Sequence, residues 1–418
     1  MRFCPTQSKL VPVPPELVVL CLVVVTALVF DFTNGFHDTA NAMATSIATK
    51  ALTPKFAVGL CAVLNLIGAF LSVEVALTVT NAVIRIQNPD GTPRTELLTD
   101  GGRPLLMILL AGLIGAIVWN LFTWLRGLPS SSSHAMFGGL IGATIAGLGV
   151  DGVKWVGEGA KLDGVVGKVI LPGLASPLIA VFVAMVGTWL VFRIARGVAE
   201  SVMDKGFRWG QVGTASLVSL AHGANDAQKT MGVITLALIA SGHWVDTHAI
   251  PLWVKVTCAF AIALGTWLGG WRIIRTMGKG LVEISSPQGM AAEASSAAVI
   301  LSSSQLGFAL STTHVATGSI LGSGLGRRAE VRWSIAGRMG LAWLITLPCA
   351  ALVGAAMWWI GTTLGPWLGP VTIFGILCSL AFWMWLHSRI QPIGHHNVND
   401  EWESPEPVHV PLPQEVVR

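Results

Sequence analysis

The stretch NGFHDTANA at residues 34–42 decides how this sequence is organised, because a related stretch, HGANDAQKT, occupies residues 222–230. Both contain Gly-x-x-Asp, and the two aspartates, Asp38 and Asp226, are separated by 188 positions. Both lie in apolar surroundings, where an isolated carboxylate costs about 2.5–3.5 kcal/mol to insert into lipid. A repeated acid in such a setting predicts an internal duplication with a polar site in each copy.

A second pair of motifs follows the first at nearly the same spacing. GLPSSSSHAMFGG starts at Gly127 and GFALSTTHVATGS starts at Gly307, so that His134 and His314 are separated by 180 positions. Two motif pairs in the same order predict a duplicated unit of about 180 residues. We expect a first repeat over residues 1–192, a short basic cytoplasmic linker over 193–208, a second repeat with an extra C-terminal span over 209–388, and a disordered acidic tail over 389–418.

The composition places most of the chain in lipid. Of its 418 residues, 53% are apolar and 11% are charged, and the mean hydropathy is +0.67. Apolar runs of about 20 residues, the length that crosses the hydrocarbon core as a helix, recur from end to end. They lack the alternating pattern of β-barrel strands. We expect an all-α polytopic membrane protein with about 10–12 transmembrane or re-entrant helices in two inverted-topology repeats.

Charge and cysteine content argue against several other classes. The net charge of +4 is small and scattered, so a nucleic-acid partner is not expected. The six cysteines have no paired spacing and most lie in apolar runs, so they predict neither a disulfide framework nor a metal centre. The first apolar run leads directly into the motif at 34–42, and we interpret it as a span and not as a cleaved signal.

The two Asp motifs combine a carboxylate with other oxygen-bearing side chains. The neighbours of Asp38 are Asn34, Thr39 and Asn41, and those of Asp226 are Asn225 and Gln228. Carboxylate and amide oxygens suit a hard cation or a proton. Gly35 and Gly223 predict a broken helix that frees backbone groups for coordination. Either Asp alone could instead end a helix at the membrane surface, but the duplication favours a buried site.

The hydroxyl runs favour an anion. They are Ser130, Ser131, Ser132 and Ser133 in the first copy and Ser311, Thr312 and Thr313 in the second. If each run begins a helix, its hydroxyls and unpaired backbone N–H groups can hold a tetrahedral oxyanion. A packing or turn role is the alternative for a single run, but the recurrence favours anion binding. We expect each run at the tip of a re-entrant hairpin, with both tips near the middle of the bilayer.

His134 and His314 directly follow the hydroxyl runs. Their proximity to serines raises the alternative of an intramembrane Ser/His hydrolase. Nucleophilic catalysis, however, needs one activated serine with a base and an orienting acid, and not two symmetric sets of hydroxyls. We therefore do not expect an enzyme, and we assign the two histidines either to hairpin packing or to a proton relay.

The chain resembles the inorganic phosphate transporters of the PiT type, in particular their bacterial low-affinity branch. The resemblance runs from about Leu17 to Trp359 and is carried by NGFHDTANA, GLPSSSSH, HGANDAQK and STTHV, with WRIIRTMG at Trp271 as support. It implies a symporter in the bacterial cytoplasmic (inner) membrane that imports phosphate held between two hairpins. The implied phosphate ligands are Ser131, Ser132, Ser133, Ser311, Thr312 and Thr313, and the implied coupling residues are Asp38, Asn41, Asn225 and Asp226.

Two departures from the general family motif, Gly-x-Asn-Asp-x-x-Asn, bear on the coupling ion. His37 replaces the first Asn and Lys229 replaces the last one. Both changes are similar to the bacterial branch, for which the resemblance implies proton coupling and transport of neutral divalent metal phosphate. A histidine titrates near neutral pH, and a lysine beside Asp226 could replace a sodium charge. The coupling candidates are Asn34, His37, Asp38, Asn41, Asn225, Asp226, Gln228 and Lys229.

Sodium-coupled phosphate symport and proton-coupled sulfate symport remain alternatives. Sulfate is also a tetrahedral oxyanion, but phosphate retains a proton that Asp38 or Asp226 could accept, which favours phosphate. A channel is disfavoured because deep paired acids suit alternating access. We expect no permanently bound cofactor: protons or Na+ are the coupling ion, and a divalent metal ion can accompany phosphate. Inorganic phosphate and the lipid bilayer are the expected partners, and a homodimer stays open.

Overall fold

A computed structural model describes residues 14–73, 75–76, 83–87, 94–157, 163–247, 249–308 and 310–400, apart from the side chains of residues 200, 201 and 203. Within these ranges the regular structure is helical. Two isolated antiparallel bridges join Ile84 to Val153 and Val282 to Val331. The prediction of an all-α protein is confirmed.

Twelve helices lie in the described ranges. They are α1 Pro15–Ala48, α2 Pro54–Gly68, α3 Thr95–Leu125, α4 Ser132–Leu148, α5 Leu171–Ile194, α6 Glu200–Ala240, α7 Leu252–Leu268, α8 Trp271–Arg275, α9 Ser286–Gln305, α10 Thr312–Arg327, α11 Trp333–Thr363 and α12 Gly365–Ser388. π-helical turns at Val166–Ile170 and Thr276–Gly280 extend the start of α5 and the end of α8.

Among the described helices, five are long and apolar enough to cross a membrane, namely α1, α3, α5, α11 and α12. The pair α7 and α8, bent by 60°, forms a sixth candidate. Helices α4 and α10 have 17 and 16 residues and are second arms of hairpins, packed against α3 and α9 respectively. The described helices therefore include both helices long and apolar enough to cross a membrane and shorter helices.

The two halves of the chain interlock through reciprocal helix contacts. Helix α1 packs on α7, while its counterpart α6 packs on α2. Helix α4 packs on α11, while its counterpart α10 packs on α5. Each half therefore buries its motif-bearing helices against the other half, which places both pairs of motifs at one interface.

Glycines at helical spacing permit these contacts. On α4, a Cβ at Gly142 would overlap the carbonyl oxygen of Ala351 on α11. On α10, a Cβ at Gly322 would overlap the carbonyl oxygen of Val181 on α5. The absence of a side chain at Gly142 and Gly322 thus allows close approach of the helix backbones.

Replacing Gly142 with alanine is expected to destabilise the protein by about 1–3 kcal/mol, the usual cost of adding atoms to a packed interface. Helix propensity alone would favour alanine by about 1 kcal/mol. Gly340→Ala on α11 is the matched control, because nothing lies within 4 Å of a Cβ there. Thermal unfolding in detergent, followed by tryptophan fluorescence, should show a lower Tm only for Gly142→Ala. Equal Tm values would contradict the packing role.

The predicted helix breaks at the two Asp motifs are wrong. Helices α1 and α6 run unbroken through both motifs. A Cβ at Gly35 would overlap the carbonyl oxygen of Ile262, and one at Gly223 would overlap that of Asn65. These glycines therefore let α7 and α2 approach the motif helices. The chain breaks instead between α7 and α8, where Gly269 has a φ of +74°.

The boundaries of the linker and of the tail in the structure also differ from the predicted ones. Helix α6 begins at Glu200, so that residues 200–208 of the predicted linker are helical. Residues 389–400 of the predicted disordered tail are packed on the helical body, because Arg272 donates to the Gln391 carbonyl at 2.5 Å and Val398 is buried. Asn399 also donates to the Ile47 carbonyl at 3.2 Å. Residues 401–418 of the tail lie outside the described residues.

Candidate functional site

The two hydroxyl runs form matching helix starts at the tips of two hairpins. Ser131 caps α4, since its Oγ accepts from the His134 N–H at 3.1 Å. Ser311 caps α10 in the same way and accepts from the His314 N–H at 3.2 Å. The first N–H groups of a helix have no acceptor within it. Each tip therefore presents backbone donors and the positive end of a helix dipole, as an anion site requires.

The hydroxyls after each cap face the polar interior. The Ser132 Oγ is buried and has no hydrogen-bond partner among the described residues. Ser133 accepts from the Lys229 ammonium at 2.6 Å. Thr312 donates to Asp226 Oδ2 at 2.9 Å, and Thr313 lies 3.4 Å from Asp38 Oδ1. The capping serines thus shape the tips, and of the two hydroxyls that follow each cap only that of Ser132 lacks a partner among the described residues.

Lys229 brings the two tips together. Its Nζ donates to Ser133 Oγ on the first hairpin at 2.6 Å and to the Leu310 carbonyl on the second at 3.0 Å. It also forms a close ion pair with Asp226. The lysine is 1% exposed, and a buried ammonium needs both charge and hydrogen-bond partners. The sequence predicted that Lys229 lies beside Asp226, but it did not predict that the lysine contacts both tips.

The two motif aspartates share one site although they come from different halves. Asp38 Oδ1 lies 2.6 Å from His37 Nδ1. Asp226 Oδ2 lies 2.9 Å from His222 Nε2, a close pair that lacks hydrogen-bond alignment. Ligand atoms of Asp38, His222 and Asp226 all lie within 4.8 Å of one another. This cluster can receive a cation or protons, since it brings two carboxylates and an imidazole together.

His222 is a member of this cluster that the sequence analysis missed. It opens the second motif, and the spacing of the repeats makes it the counterpart of Asn34. It also stands four residues before Asp226, which places both on one face of α6. The i, i+4 spacing of an imidazole and an acid was the available signal.

Further polar residues anchor the motif helices to the hairpins. His37 Nε2 lies 3.2 Å from Thr123 Oγ1 near the end of α3. At the equivalent position of the second half, Asn225 donates to Ser304 Oγ near the end of α9 at 2.9 Å. Asn41 donates to Thr313 at 3.0 Å, and also to Thr312 at 3.2 Å. These contacts fix the tips against the carboxylates.

Some of the predicted residues do not form hydrogen bonds with the cluster of Asp38, His222 and Asp226. Gln228 accepts from the Val75 N–H at 2.9 Å and so holds the segment that follows α2. The Thr39 hydroxyl donates to the Gly35 carbonyl at 2.6 Å within its own helix. Asn34 is buried, and its Oδ1 has no hydrogen-bond partner in the described part of the chain. The structure therefore does not bring Gln228 to Asp226 in the way that their closeness in sequence suggested.

His134 and His314 contact each other, and His314 also contacts helices α5 and α11. Their ring centroids are 4.8 Å apart, and the His314 ring also lies 4.3 Å from that of Trp343. His314 Nδ1 is 3.2 Å from the Gly173 carbonyl at the start of α5. Both rings border an apolar cavity of about 690 Å³. This arrangement fits hairpin packing and supplies no base for a serine nucleophile.

Glu293 on α9 is a buried acid that the sequence analysis missed. Its Oε1 accepts from Thr45 and Ser46 on α1, each at 2.6 Å. Its Oε2 accepts from Thr214 on α6 at 2.6 Å. The signal was present, because Glu293 is the single acid of α9. These hydroxyls provide hydrogen-bond donors for both carboxylate oxygens of Glu293. They also connect α9 to α1 and α6, the two helices that carry the Asp motifs.

Comparisons with known proteins identify the family of this chain. A family model described as the phosphate transporter family matches residues 34–354. A Mycobacterium tuberculosis protein described as a "probable low-affinity inorganic phosphate transporter" is 58% identical over 390 residues, covering 93% of this chain and 88% of that protein. A Bacillus subtilis protein with the same description is 41% identical over 345 residues, covering 82% of this chain and 97% of that protein.

The fold also matches that of a solved protein. A structure described as "The sodium-dependent phosphate transporter" gives a TM-score of 0.69, with 21% identity. The match covers 82% of this chain and 98% of that chain. At this identity the match establishes a shared fold.

Proposed function

Because this chain belongs to the phosphate transporter family, we propose that it imports inorganic phosphate across the bacterial cytoplasmic (inner) membrane by symport with protons. The chain is an integral membrane transporter of this family and not an enzyme. The observation that carries the proposal is the position of Lys229, whose ammonium contacts both hairpin tips and pairs with Asp226.

Phosphate binds between the two tips. Its oxygens accept from the first backbone N–H groups of α4 and α10 and from the hydroxyls of Ser132, Ser133, Thr312 and Thr313. The lysine ammonium supplies the positive charge at this position. Backbone donors and hydroxyls hold the anion without the several full charges that would prevent its release.

Protons couple to phosphate through Asp226. In the described state the carboxylate neutralises Lys229, so an arriving anion meets a pair with no net charge. Protonation of Asp226, or of His222 beside it, leaves the ammonium free to attract phosphate. Proton binding and phosphate binding therefore favour each other, which is the thermodynamic requirement for symport.

The remaining acid in the cluster allows a further cation to enter with phosphate. Asp38 lies beside His222 and Asp226, and this set of oxygens and nitrogen can receive a second proton or a divalent metal ion that accompanies phosphate. Rocking of one half against the other then exposes the loaded site to the opposite side of the membrane. Sodium coupling is the alternative for the same cluster.

Uptake of radiolabelled phosphate into proteoliposomes tests the proposal. Purified protein is reconstituted, and a proton gradient and a sodium gradient are imposed separately, with unlabelled sulfate as competitor. We expect accumulation driven by the proton gradient and unaffected by sulfate. Accumulation driven by sodium alone would show that sodium, and not the proton, is the coupling ion. Saturable sulfate uptake without phosphate uptake would show that phosphate is not the substrate.

A further inference from the structure

Asp31 is a buried acid that the proposed phosphate site does not use. It lies on α1 two turns before Asp38, about 10 Å away along the helix axis, and it is 0% exposed. Its Oδ1 accepts from the Thr230 hydroxyl on α6 at 2.6 Å. Its Oδ2 is buried and has no hydrogen-bond partner within the described ranges. The other side chain that interacts directly with this carboxyl is the Cys258 thiol, a weak donor.

The described titratable groups around Asp31 supply no free cation. The titratable groups that interact with it are Cys258 on α7 and, from α6, Asp226 and Lys229. Lys229 is already paired with Asp226, and no ion pair in the described part of the chain includes Asp31. A buried carboxylate without a cation carries a large desolvation cost, and binding a proton removes that cost.

The acid also lies where the two halves meet. Asp31 belongs to the first half, whereas Thr230 and Cys258 belong to the second. Thr230 is the residue after Lys229 on the same continuous helix, so a movement of α6 that shifts the lysine also shifts the hydroxyl that contacts Asp31. The environment of Asp31 is thus mechanically linked to the phosphate site without touching it.

We propose that Asp31 is a dedicated proton-binding site, whose carboxylate takes up one proton from water on one side and releases it to water on the other as the halves move. This inference rests on the proposed proton symport. The site is present once, because the equivalent position in the second half is Ser219. Asp31 therefore adds one proton per cycle to those bound beside Lys229.

The test replaces Asp31 with asparagine, which keeps the shape of the side chain but cannot carry the proton. In proteoliposomes, phosphate exchange at equal pH on both sides should persist in Asp31→Asn, because the phosphate ligands are intact. Protons moved per phosphate, measured with an internal pH dye, should fall by one. With a gradient of about one pH unit, each coupled proton is worth about tenfold in accumulation, so the limiting accumulation should fall about tenfold. Asp151→Asn, at an exposed residue, is the matched control.

The outcomes separate this inference from the proposed function. Wild-type stoichiometry and accumulation in Asp31→Asn would overturn the proton site while leaving proton symport in place. Loss of exchange in a folded Asp31→Asn protein would also overturn it, since Asp31 would then serve phosphate binding. If the wild-type protein itself ignores the proton gradient, the proposed function fails and the proton site fails with it.

A second variant applies if Asp31→Asn does not fold. Thr230→Val keeps the acid but removes the hydroxyl that stabilises its charged form, so the acid should hold its proton to higher pH. The pH profile of proton-driven uptake should therefore shift in the alkaline direction. Thr235→Val is the control, because that buried hydroxyl donates to the Met231 carbonyl of its own helix. An unshifted profile for Thr230→Val would count against the proton site.

Discussion

Proton-driven phosphate uptake by Asp226→Asn is expected to be lost, because an asparagine side chain cannot bind and release the coupling proton. Breaking the buried ion pair should separately lower the stability of the protein by about 3–5 kcal/mol. The asparagine leaves the Lys229 ammonium buried without its counter-charge and cannot exchange a proton with it. It also changes the acceptor for the Thr312 hydroxyl. Initial rates of proton-driven uptake in proteoliposomes measure the effect. Full retention of uptake would remove Asp226 from the coupling step.

Two further variants distinguish lost coupling from lost stability. The double variant Asp226→Asn with Lys229→Gln leaves no unpaired charge, so its thermal stability in detergent should recover while uptake stays absent. Asp151→Asn makes the same chemical change at an exposed position and should leave both quantities at wild-type values. Recovery of uptake in the double variant would show that the charges matter for folding and not for transport.

Replacing Lys229 with asparagine is the second change with a large expected effect. Asparagine is the residue at the equivalent position of the first half, Asn41. We expect uptake without sodium to fall about 10- to 100-fold, since phosphate would lose a charge-assisted hydrogen bond worth about 1.5–3 kcal/mol from the ammonium that contacts both hairpin tips. Adding sodium should restore part of the uptake, because Asp226 then lacks a cationic partner and an asparagine oxygen is available to a cation.

The sodium response is the decisive measurement for Lys229→Asn. Uptake should be recorded at increasing sodium concentration, with potassium replacing sodium to keep the ionic strength constant. Lys205→Asn, an exposed position on α6, is the matched control and should follow the wild-type protein. Unchanged uptake in Lys229→Asn without sodium would contradict the assignment of the lysine to the phosphate site. Loss of uptake that sodium does not relieve would retain the lysine there but contradict its part in the choice of coupling ion.

The two halves use their similar motifs in different ways. In the first half, Asn41 donates to Thr312 and Thr313 on the hairpin of the second half. In the second half, Lys229 occupies the equivalent position, donates to Ser133 on the hairpin of the first half and pairs with an acid of its own helix. The repeated framework thus places one polar group at each tip, and only one of them is charged. This asymmetry concentrates anion attraction and proton coupling at Asp226.

Local sequence signals predicted the framework of the site. The helical class follows from uninterrupted apolar runs. The hydroxyl runs were expected to bind an anion if each begins a helix, and the structure places Ser131 and Ser311 at helix starts. The repeat of the Asp motifs predicted a polar site in each copy, and the structure brings Asp38 and Asp226 into one cluster. Each of these signals lies within one segment or in the comparison of two segments.

The predictions that failed concerned contacts between segments. Gly35 and Gly223 were expected to break their helices, yet they accommodate neighbouring helices that a one-dimensional pattern cannot identify. Gln228 is next to the cluster in sequence, but its position on α6 directs it to the backbone after α2. His222 points the other way, towards Asp226. Which face of a motif helix meets which partner depends on the packing of the whole bundle.

The sequence by itself determined that this is a duplicated, helical membrane protein with paired acidic and hydroxyl motifs, because apolar length, capping residues and repeat spacing act locally. Only the tertiary structure decided that Lys229 reaches both hairpin tips and that Asp31 is buried against Thr230. These contacts join residues far apart in the chain and arise from the interlocking of the two halves. Burying a polar group without a partner costs free energy. The polar groups of each half therefore form hydrogen bonds or ion pairs with groups of the other half.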